Sequence, residues 1–165
     1  MPTVQRISPC LWFNKEAEEA ARYYAGIFKK SRIGTITRYG KAGFEAHHQP
    51  AGTVMVVAFE LEGQKFTALN GGPQFKFNEA ISLQVNCDTQ KEIDYYWEKL
   101  SAGGDPKAQQ CGWLKDKFGV SWQVIPAIMG ELFKNEDSAK SQRVMQAMLP
   151  MKKIDIAVLE KARGG

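Results

Sequence analysis

The chain has 165 residues, of which 44% are hydrophobic and 24% charged, a balance typical of one soluble domain over residues 1–165. No run approaches the roughly 18 apolar residues of a membrane-spanning helix, and the first residues lack a secretory pattern, so we expect a cytoplasmic protein without membrane contact. The formal net charge of +4 comes from short, dispersed basic groups, which do not favour nucleic acid as a partner.

The first half of the chain begins with a strand and a helix. Residues 6–13 form a strand with apolar side chains on both faces, and Asn14 is placed to cap a helix that runs to about Phe28. Residues 32–39 then alternate as a second strand, and residues 40–52 have the composition of a loop.

A hairpin follows the loop. Residues 53–61 and 64–70 form its strands, and Glu62-Gly63 forms its tight turn. The first half ends at the glycine-rich segment 71–73.

The second half repeats the order of strand, polar cap and helix. Residues 80–86 form the strand, and Thr89 and Glu92 have the spacing of a capping box. The helix ends at Gly103-Gly104. A final hairpin has its turn at residues 115–119 and a return strand that stops at Pro126.

The sequence pattern of the last part of the chain predicts helices. They span residues 127–133, residues 138–149 behind a cap at Asp137, and residues 154–162.

The two halves share a pattern, ISPCLWFN followed by RYY and AISLQVNCD followed by DYY, which predicts two related modules. The segments PCLWFN, ALNGGP, FNEAISLQV, CGWLKD, FGVSWQVIP and MKKIDI resemble the glyoxalase/bleomycin-resistance/dihydroxybiphenyl dioxygenase superfamily, also called vicinal oxygen chelate proteins. They are similar in particular to its PhnB-like branch, labelled 3-demethylubiquinone-9 3-methyltransferase. The resemblance implies an α+β fold of paired βαβββ modules, residues 5–75 and 78–126, that form a half-open mixed sheet with a C-terminal helical tail over residues 127–165. It also implies a homodimer and a ligand cavity on the concave side.

Metal-using members of the superfamily hold a divalent ion with His and Glu side chains on four strands. Carried onto this sequence, the four places fall near Pro9, Ala68, Ala80 and Gln123. A catalytic divalent metal takes about three imidazole, thiolate or carboxylate ligands, which these residues do not supply. We therefore expect no metal and no cofactor.

Alternation along the strands from those four places predicts the side chains that line the cavity. They are Leu11, Phe13, Phe66, Asn70, Ser82, Gln84, Ser121 and Gln123. This lining suits a small organic ligand that is weakly polar or aromatic. A filled core with satisfied amides explains the same pattern equally well.

Three side chains are candidates for catalysis. His47 and His48, in the loop, suit a general base at the rim of a pocket, but a solvated histidine pair is the plainer interpretation. Cys111 suits a nucleophile if a nearby cation activates it, but a packed strand cysteine is more common. Cys10, Cys87 and Cys111 form neither a CxxC motif nor an even set, so we expect buried, reduced thiols.

The leading interpretation is a metal-independent protein that binds a small organic molecule, as an enzyme of unassigned reaction or as a sequestering binder. The alternative is an enzyme, either a methyltransferase of the labelled kind or a lyase or isomerase that uses the rim histidines. The strand-to-helix turn Phe13-Asn14-Lys15 contains no glycine, which does not favour a cofactor cradle. An RNA-binding sheet is a third possibility, but GKAGFEAHH matches the RNA-stacking signature poorly.

Overall fold

The computed structural model describes residues 4–134 and 139–165. The chain forms two compact units, one up to Phe77 and one from Asn78. Across the described ranges, no helix combines the length and the apolar character needed to cross a membrane.

The first unit contains a four-stranded sheet. Its elements are β1 (Cys10–Phe13), α1 (Ala17–Ile27), β2 (Ser31–Arg38), the short helix α2 (Phe44–His47), β3 (Val54–Leu61) and β4 (Gln64–Asn70). The strand order is β1-β4-β3-β2, with β1 parallel to β4 and the other pairs antiparallel. The predicted βαβββ order is confirmed. The first strand is shorter than predicted, since Pro9 accepts a bond from Thr67 but has no N–H with which to extend the ladder.

Helix α1 packs against one face of this sheet. Tyr24 of α1 is fully buried and stacks on Phe59 of β3, with ring centroids 6.4 Å apart. Phe59 in turn stacks on Phe66 of β4 at 5.2 Å. The core of the first unit therefore lies between α1 and the face of the sheet that carries Phe59 and Phe66.

The start of α1 differs from the prediction. The N-cap is Glu16, whose side chain makes no capping bond, and Asn14 lies two residues earlier. The first helical N–H, that of Ala17, instead donates to Oδ1 of Asn70 at 2.8 Å. The predicted Asn14 cap is therefore wrong, because a residue at the end of β4 supplies the capping oxygen.

The turn between β3 and β4 agrees with the prediction. Glu62 has a φ of 47° and Gly63 a φ of 85°. Two positive φ values are the signature of the type I′ turn, which matches the twist of a hairpin.

The second unit contains a three-stranded sheet among its described residues. Its strands are β5 (Leu83–Cys87), β6 (Trp113–Lys115) and β7 (Ser121–Pro126), in the order β5-β7-β6, and α3 (Gln90–Ser101) follows β5. Strands β5 and β7 are parallel, and β6 and β7 are antiparallel. This is one strand fewer than a βαβββ module requires. Residues 106–108 form a 3-10 turn, and only a single bridge, from Gln110 to Trp113, precedes β6.

The predicted capping box at the start of α3 is confirmed. The Thr89 hydroxyl accepts the Glu92 N–H at 3.2 Å, and the Glu92 carboxylate accepts the Thr89 N–H at 3.3 Å. Helix α3 buries Ile93 and Leu100, and Gly103 follows it with a φ of 75°.

The tail contains α4 (Met129–Leu132), α5 (Ala139–Met148) and α6 (Ile156–Gly164). Helix α4 is shorter than predicted, and the predicted Asp137 cap lies outside the described residues. Helix α6 begins two residues later than predicted, because Asp155 caps it by accepting the Val158 N–H at 3.1 Å.

Candidate functional site

The second sheet has one face covered by α3 and an opposite face that carries polar side chains. Val85 of β5 pairs with Val124 of β7 on the α3 side, where both are buried. The next pair along the strands, Gln84 with Gln123, therefore points to the opposite face. The Gln123 amide donates to the Ser82 hydroxyl at 2.8 Å.

Four of the predicted lining residues thus share this face. They are Ser82, Gln84, Ser121 and Gln123. In the register of β6 and β7, Trp113 pairs with Gln123 and Lys115 pairs with Ser121, so β6 adds an indole and an ammonium to the same face.

A cavity of about 480 Å³ lies beside β6. This volume is within the range of about 300–1,000 Å³ typical of small-molecule sites. Its polar lining residues are Glu79, Lys107, Gln110, Cys111, Lys115 and Ser121. Its remaining lining residues are Ala108, Trp113 and Leu114.

One wall of the cavity, the wall turn (residues 110–112), has an unusual backbone. Cys111 has a φ of 50° and Gly112 a φ of 84°. A Cβ at Gly112 would lie 2.9 Å from the Val124 carbonyl oxygen, so only glycine fits there. The N–H groups of Cys111 and Gly112 donate at 2.8 Å to the carbonyl oxygens of Met151 and Lys152. The tail therefore holds the wall turn in place.

Cys111 lines the cavity, but its sulfur also contacts the tail. Its thiol donates to the carbonyl oxygens of Met148 at 3.5 Å and Leu149 at 3.6 Å. These bonds need the S–H hydrogen, whereas a nucleophile needs the thiolate. Cys87 is buried as expected, but Cys10 is exposed and Cys111 is half-buried, contrary to the prediction. Cys10 pairs with Thr67, on the face of the sheet away from α1.

The cavity contains an ion pair that the sequence analysis did not anticipate. The Lys115 ammonium contacts the Glu79 carboxylate, and their side chains are 26% and 61% exposed. The hydrogen bond from Lys115 lowers the pKa of Glu79 below its ordinary value. The alternation of Trp113 and Lys115 in β6 could have placed both on one face, but no local signal indicates Glu79 or Lys107.

A buried carboxylate fixes the β6–β7 turn beside the cavity. Asp116 is 3% exposed and accepts three hydrogen bonds. The donors are the N–H groups of Phe118 at 2.8 Å and Val120 at 3.0 Å, and the Trp122 indole at 2.9 Å. Asp116 therefore positions the neighbouring Lys115 without lining the cavity itself.

The predicted lining residues of the first unit have the opposite orientation to the one expected. Leu11, Phe13, Phe66 and Asn70 lie on the face that packs against α1, as does Ala68, which is fully buried. Asn70 uses its amide there, since Oδ1 accepts from Ala17 and Nδ2 donates to the Val54 carbonyl at 3.1 Å. The expectation that these side chains face a cleft is wrong, because α1 covers the face of β4 that carries Phe66 and Ala68.

The glycine-rich segment after β4 has a structural explanation. A Cβ at Gly71 would overlap the Trp12 indole, whose Nε1 donates to the Gly72 carbonyl at 2.9 Å. Gly71 therefore allows Trp12 to lie against the backbone, while Gly72 has a φ of 102° that favours glycine.

His47 and His48 are in the first unit, in and after α2. His47 accepts the Gln49 N–H through Nδ1 at 3.0 Å, which leaves Nε2 to donate to the Ala42 carbonyl at 3.1 Å. Its ring lies 4.5 Å from that of Tyr39. His48 is exposed. Both nitrogens of His47 thus hold the loop, so His47 has a structural role and only His48 matches the solvated interpretation.

The described architecture is that of a glyoxalase-like protein of the vicinal oxygen chelate superfamily: two strand–helix modules, mixed sheets that do not close, and C-terminal helices. Residues 5–125 match the model of the family described as 3-demethylubiquinone-9 3-methyltransferase, and the chain belongs to this PhnB-like family. Residues 126–165 lie outside the match. None of the curated proteins matches the chain significantly.

Solved structures agree with this assignment. The PhnB protein from Bacillus cereus is 38% identical, with a TM-score of 0.63 over 74% of this chain and 100% of that one. Protein PA1353 from Pseudomonas aeruginosa is 22% identical, with a TM-score of 0.56 over 75% and 98% of the chains. The fosfomycin resistance protein FosX from Listeria monocytogenes, complexed with Mn(II) and sulfate, is 14% identical, with a TM-score of 0.51 over 81% and 99%. The last two likenesses show the fold alone.

The described residues of this chain do not fit a divalent metal such as the Mn(II) of the FosX complex. In the described ranges, no three His, Cys, Asp or Glu side chains come close enough together to hold one. Of the four places named from the sequence, Ala68 is buried against α1 and the Gln123 amide is bonded to Ser82. A proline, two alanines and an amide lack the donors that such an ion requires.

Proposed function

We propose that the protein binds a small, flat organic molecule in the cavity beside β6, and that it does so without a resident metal. The observation that carries this proposal is the cavity of about 480 Å³, whose lining joins the Trp113 ring to six polar side chains. An aromatic surface beside convergent polar groups can hold a small organic molecule in a fixed orientation.

The shape of the lining favours a ring-containing ligand. Trp113 is half-buried, which leaves part of the indole available for stacking. Ser121 of β7 pairs with Lys115 on the neighbouring strand β6 and adds a hydroxyl to the lining of the cavity. The family description, which names a ubiquinone precursor, points to the same class of flat, ring-containing molecule.

Titration with N-phenylnaphthylamine, a flat uncharged dye that fluoresces when bound, tests the proposal. Trp113→Ala removes the stacking surface and should weaken binding at least about fivefold, because aromatic pairs contribute roughly 0.5–1.5 kcal/mol beyond buried area. Trp97→Ala is the matched control, since Trp97 lies on α3 at the other face of the sheet. Equal loss in both variants, or in neither, would refute the assignment of the cavity.

The same titration with EDTA tests metal independence. We expect an unchanged dissociation constant after exhaustive chelation, because the lining offers no set of metal ligands. Loss of binding on chelation, with recovery on adding a divalent ion, would refute this part of the proposal.

The family description favours methyl transfer to such a ring as a second candidate function. Neither the turn from β1 to α1, Asn14-Lys15-Glu16, nor the one from β5 to α3, Asp88-Thr89, contains glycine. Calorimetry with S-adenosylmethionine is the test. Saturable binding would support the methyltransferase, and absence of heat at millimolar cofactor would remove it.

A further inference from the structure

We propose that the molecule bound in this cavity carries a negative charge, and that its anionic group binds Lys115 by displacing Glu79. This inference rests on the proposed function and adds the chemical class of the ligand: a flat ring with a carboxylate, phenolate, sulfonate or similar group.

Lys115 is placed to bind such a group. Its side chain is 26% exposed, so much of its hydration shell is removed by the protein. A partly buried ammonium needs an anionic or strongly polar partner to offset that loss. Trp113 is two residues earlier on the same face of β6, and Ser121 of β7 is the cross-strand partner of Lys115. The ring and the anionic group of the ligand would therefore be bound side by side.

Glu79 has the properties of a displaceable partner. Its side chain is 61% exposed, and it lies before β5, outside the strands and helices. Ion pairs with an exposed member contribute little to stability, so a ligand anion can replace Glu79 at small cost. The carboxylate would return to water, where it is well solvated.

The remaining charges around the cavity favour an anion. Lys107, an exposed residue in the lining, adds a second positive charge. Among the lining residues only Glu79 is acidic. The neighbouring carboxylate of Asp116 already accepts three N–H donors, one of which is the Trp122 indole on the α3 side of the sheet. With Glu79 displaced, the lining is positively charged.

Two dyes that share the same ring system separate the contribution of charge to binding from that of shape. Anilinonaphthalene sulfonate carries a sulfonate that N-phenylnaphthylamine lacks. We expect the anionic dye to bind the wild-type protein at least about fivefold more tightly than the neutral dye. Raising the ionic strength should weaken only the anionic dye, because salt screens charge pairs at partly exposed sites.

Two substitutions with opposite expected effects identify the residues. Lys115→Met should weaken the anionic dye at least about tenfold and leave the neutral dye unchanged, since a hydrogen bond to a charged group is worth roughly 1.5–3 kcal/mol. Glu79→Gln should strengthen the anionic dye by up to about fivefold, because it removes the competing carboxylate. Lys91→Met, an exposed lysine of α3, is the control and should change neither dye.

The outcomes distinguish this inference from the proposed function. Equal affinity for both dyes, or equal behaviour of Lys115→Met and Lys91→Met, would overturn the anionic ligand and leave the cavity as a site for neutral rings. Failure of both dyes to bind would overturn both proposals. Glu79→Gln keeps the test decisive if Lys115→Met does not fold, because a gain in anion affinity is not a consequence of misfolding.

Discussion

Asn70 connects the end of β4 to the start of α1, and its replacement by alanine should destabilise the first unit. The side chain is 7% exposed, accepts the Ala17 N–H at 2.8 Å and donates to the Val54 carbonyl at 3.1 Å. Loss of a helix cap costs about 0.5–2 kcal/mol, and a buried polar group left unpaired costs about 1–3 kcal/mol. We therefore expect Asn70→Ala to lower the free energy of unfolding by roughly 2–4 kcal/mol in urea denaturation.

Asn14→Ala is the matched control for this experiment. Asn14 is the cap that local sequence predicts, but it is exposed and lies outside the capping geometry. Its replacement should change the stability by no more than about 0.5 kcal/mol, as exposed substitutions usually do. A loss for Asn14→Ala as large as that for Asn70→Ala would refute the assignment of the cap.

Three further predictions concern the second unit. Asp116→Ala strands three N–H donors and should cost about 3–5 kcal/mol in urea unfolding, whereas a cost below about 1 kcal/mol would contradict the network. Burial raises the pKa of the Cys87 thiol from 9.0 to about 12, so its contribution to stability is complete below pH 9.0 and is lost as the pH rises towards 12. Cys87→Ala should show a shallower alkaline decline in a pH series of unfolding experiments, and an unchanged slope would contradict the burial. The Gln90 side chain donates to the carbonyl of Ile154 and accepts the N–H of Ile156, and so fixes the tail next to the segment that holds the wall turn. Gln90→Ala should therefore speed hydrogen exchange of the wall-turn amides. Lys153→Met, which breaks only an exposed ion pair, is the control and should leave that exchange unchanged.

The features that the sequence predicts best are those built from neighbouring residues. The capping box of Thr89 and Glu92 acts over three positions, and the Glu62-Gly63 turn depends on two. In both cases the interacting groups are held together by the chain itself, so tertiary contacts have little power to change the outcome.

The features that it predicts poorly depend on partners far along the chain. The cap of α1 comes from Asn70, 53 positions from Ala17, and no local pattern identifies it. In β4 each alternation phase mixes apolar and polar residues, so the pattern could not show that α1 covers the face with Phe66 rather than the face with Thr67.

The candidate site divides in the same way. Alternation placed Ser121 and Gln123 on one face of the second sheet, because those strands have a clear polar side. The charged part of the lining was missed, since Glu79 precedes β5 and Lys107 lies in a 3-10 turn, both outside the strands to which alternation applies. The wall turn depends on hydrogen bonds that its N–H groups donate to carbonyl oxygens of the tail, about forty residues further along the chain.

A crystal structure of the protein purified from cells tests the central claim most directly. The account predicts an organic molecule against the Trp113 ring, with an anionic group at Lys115 and no metal ion coordinated by the chain. A divalent ion held by protein side chains, or a ligand bound elsewhere while the cavity beside β6 is filled with water, would contradict it.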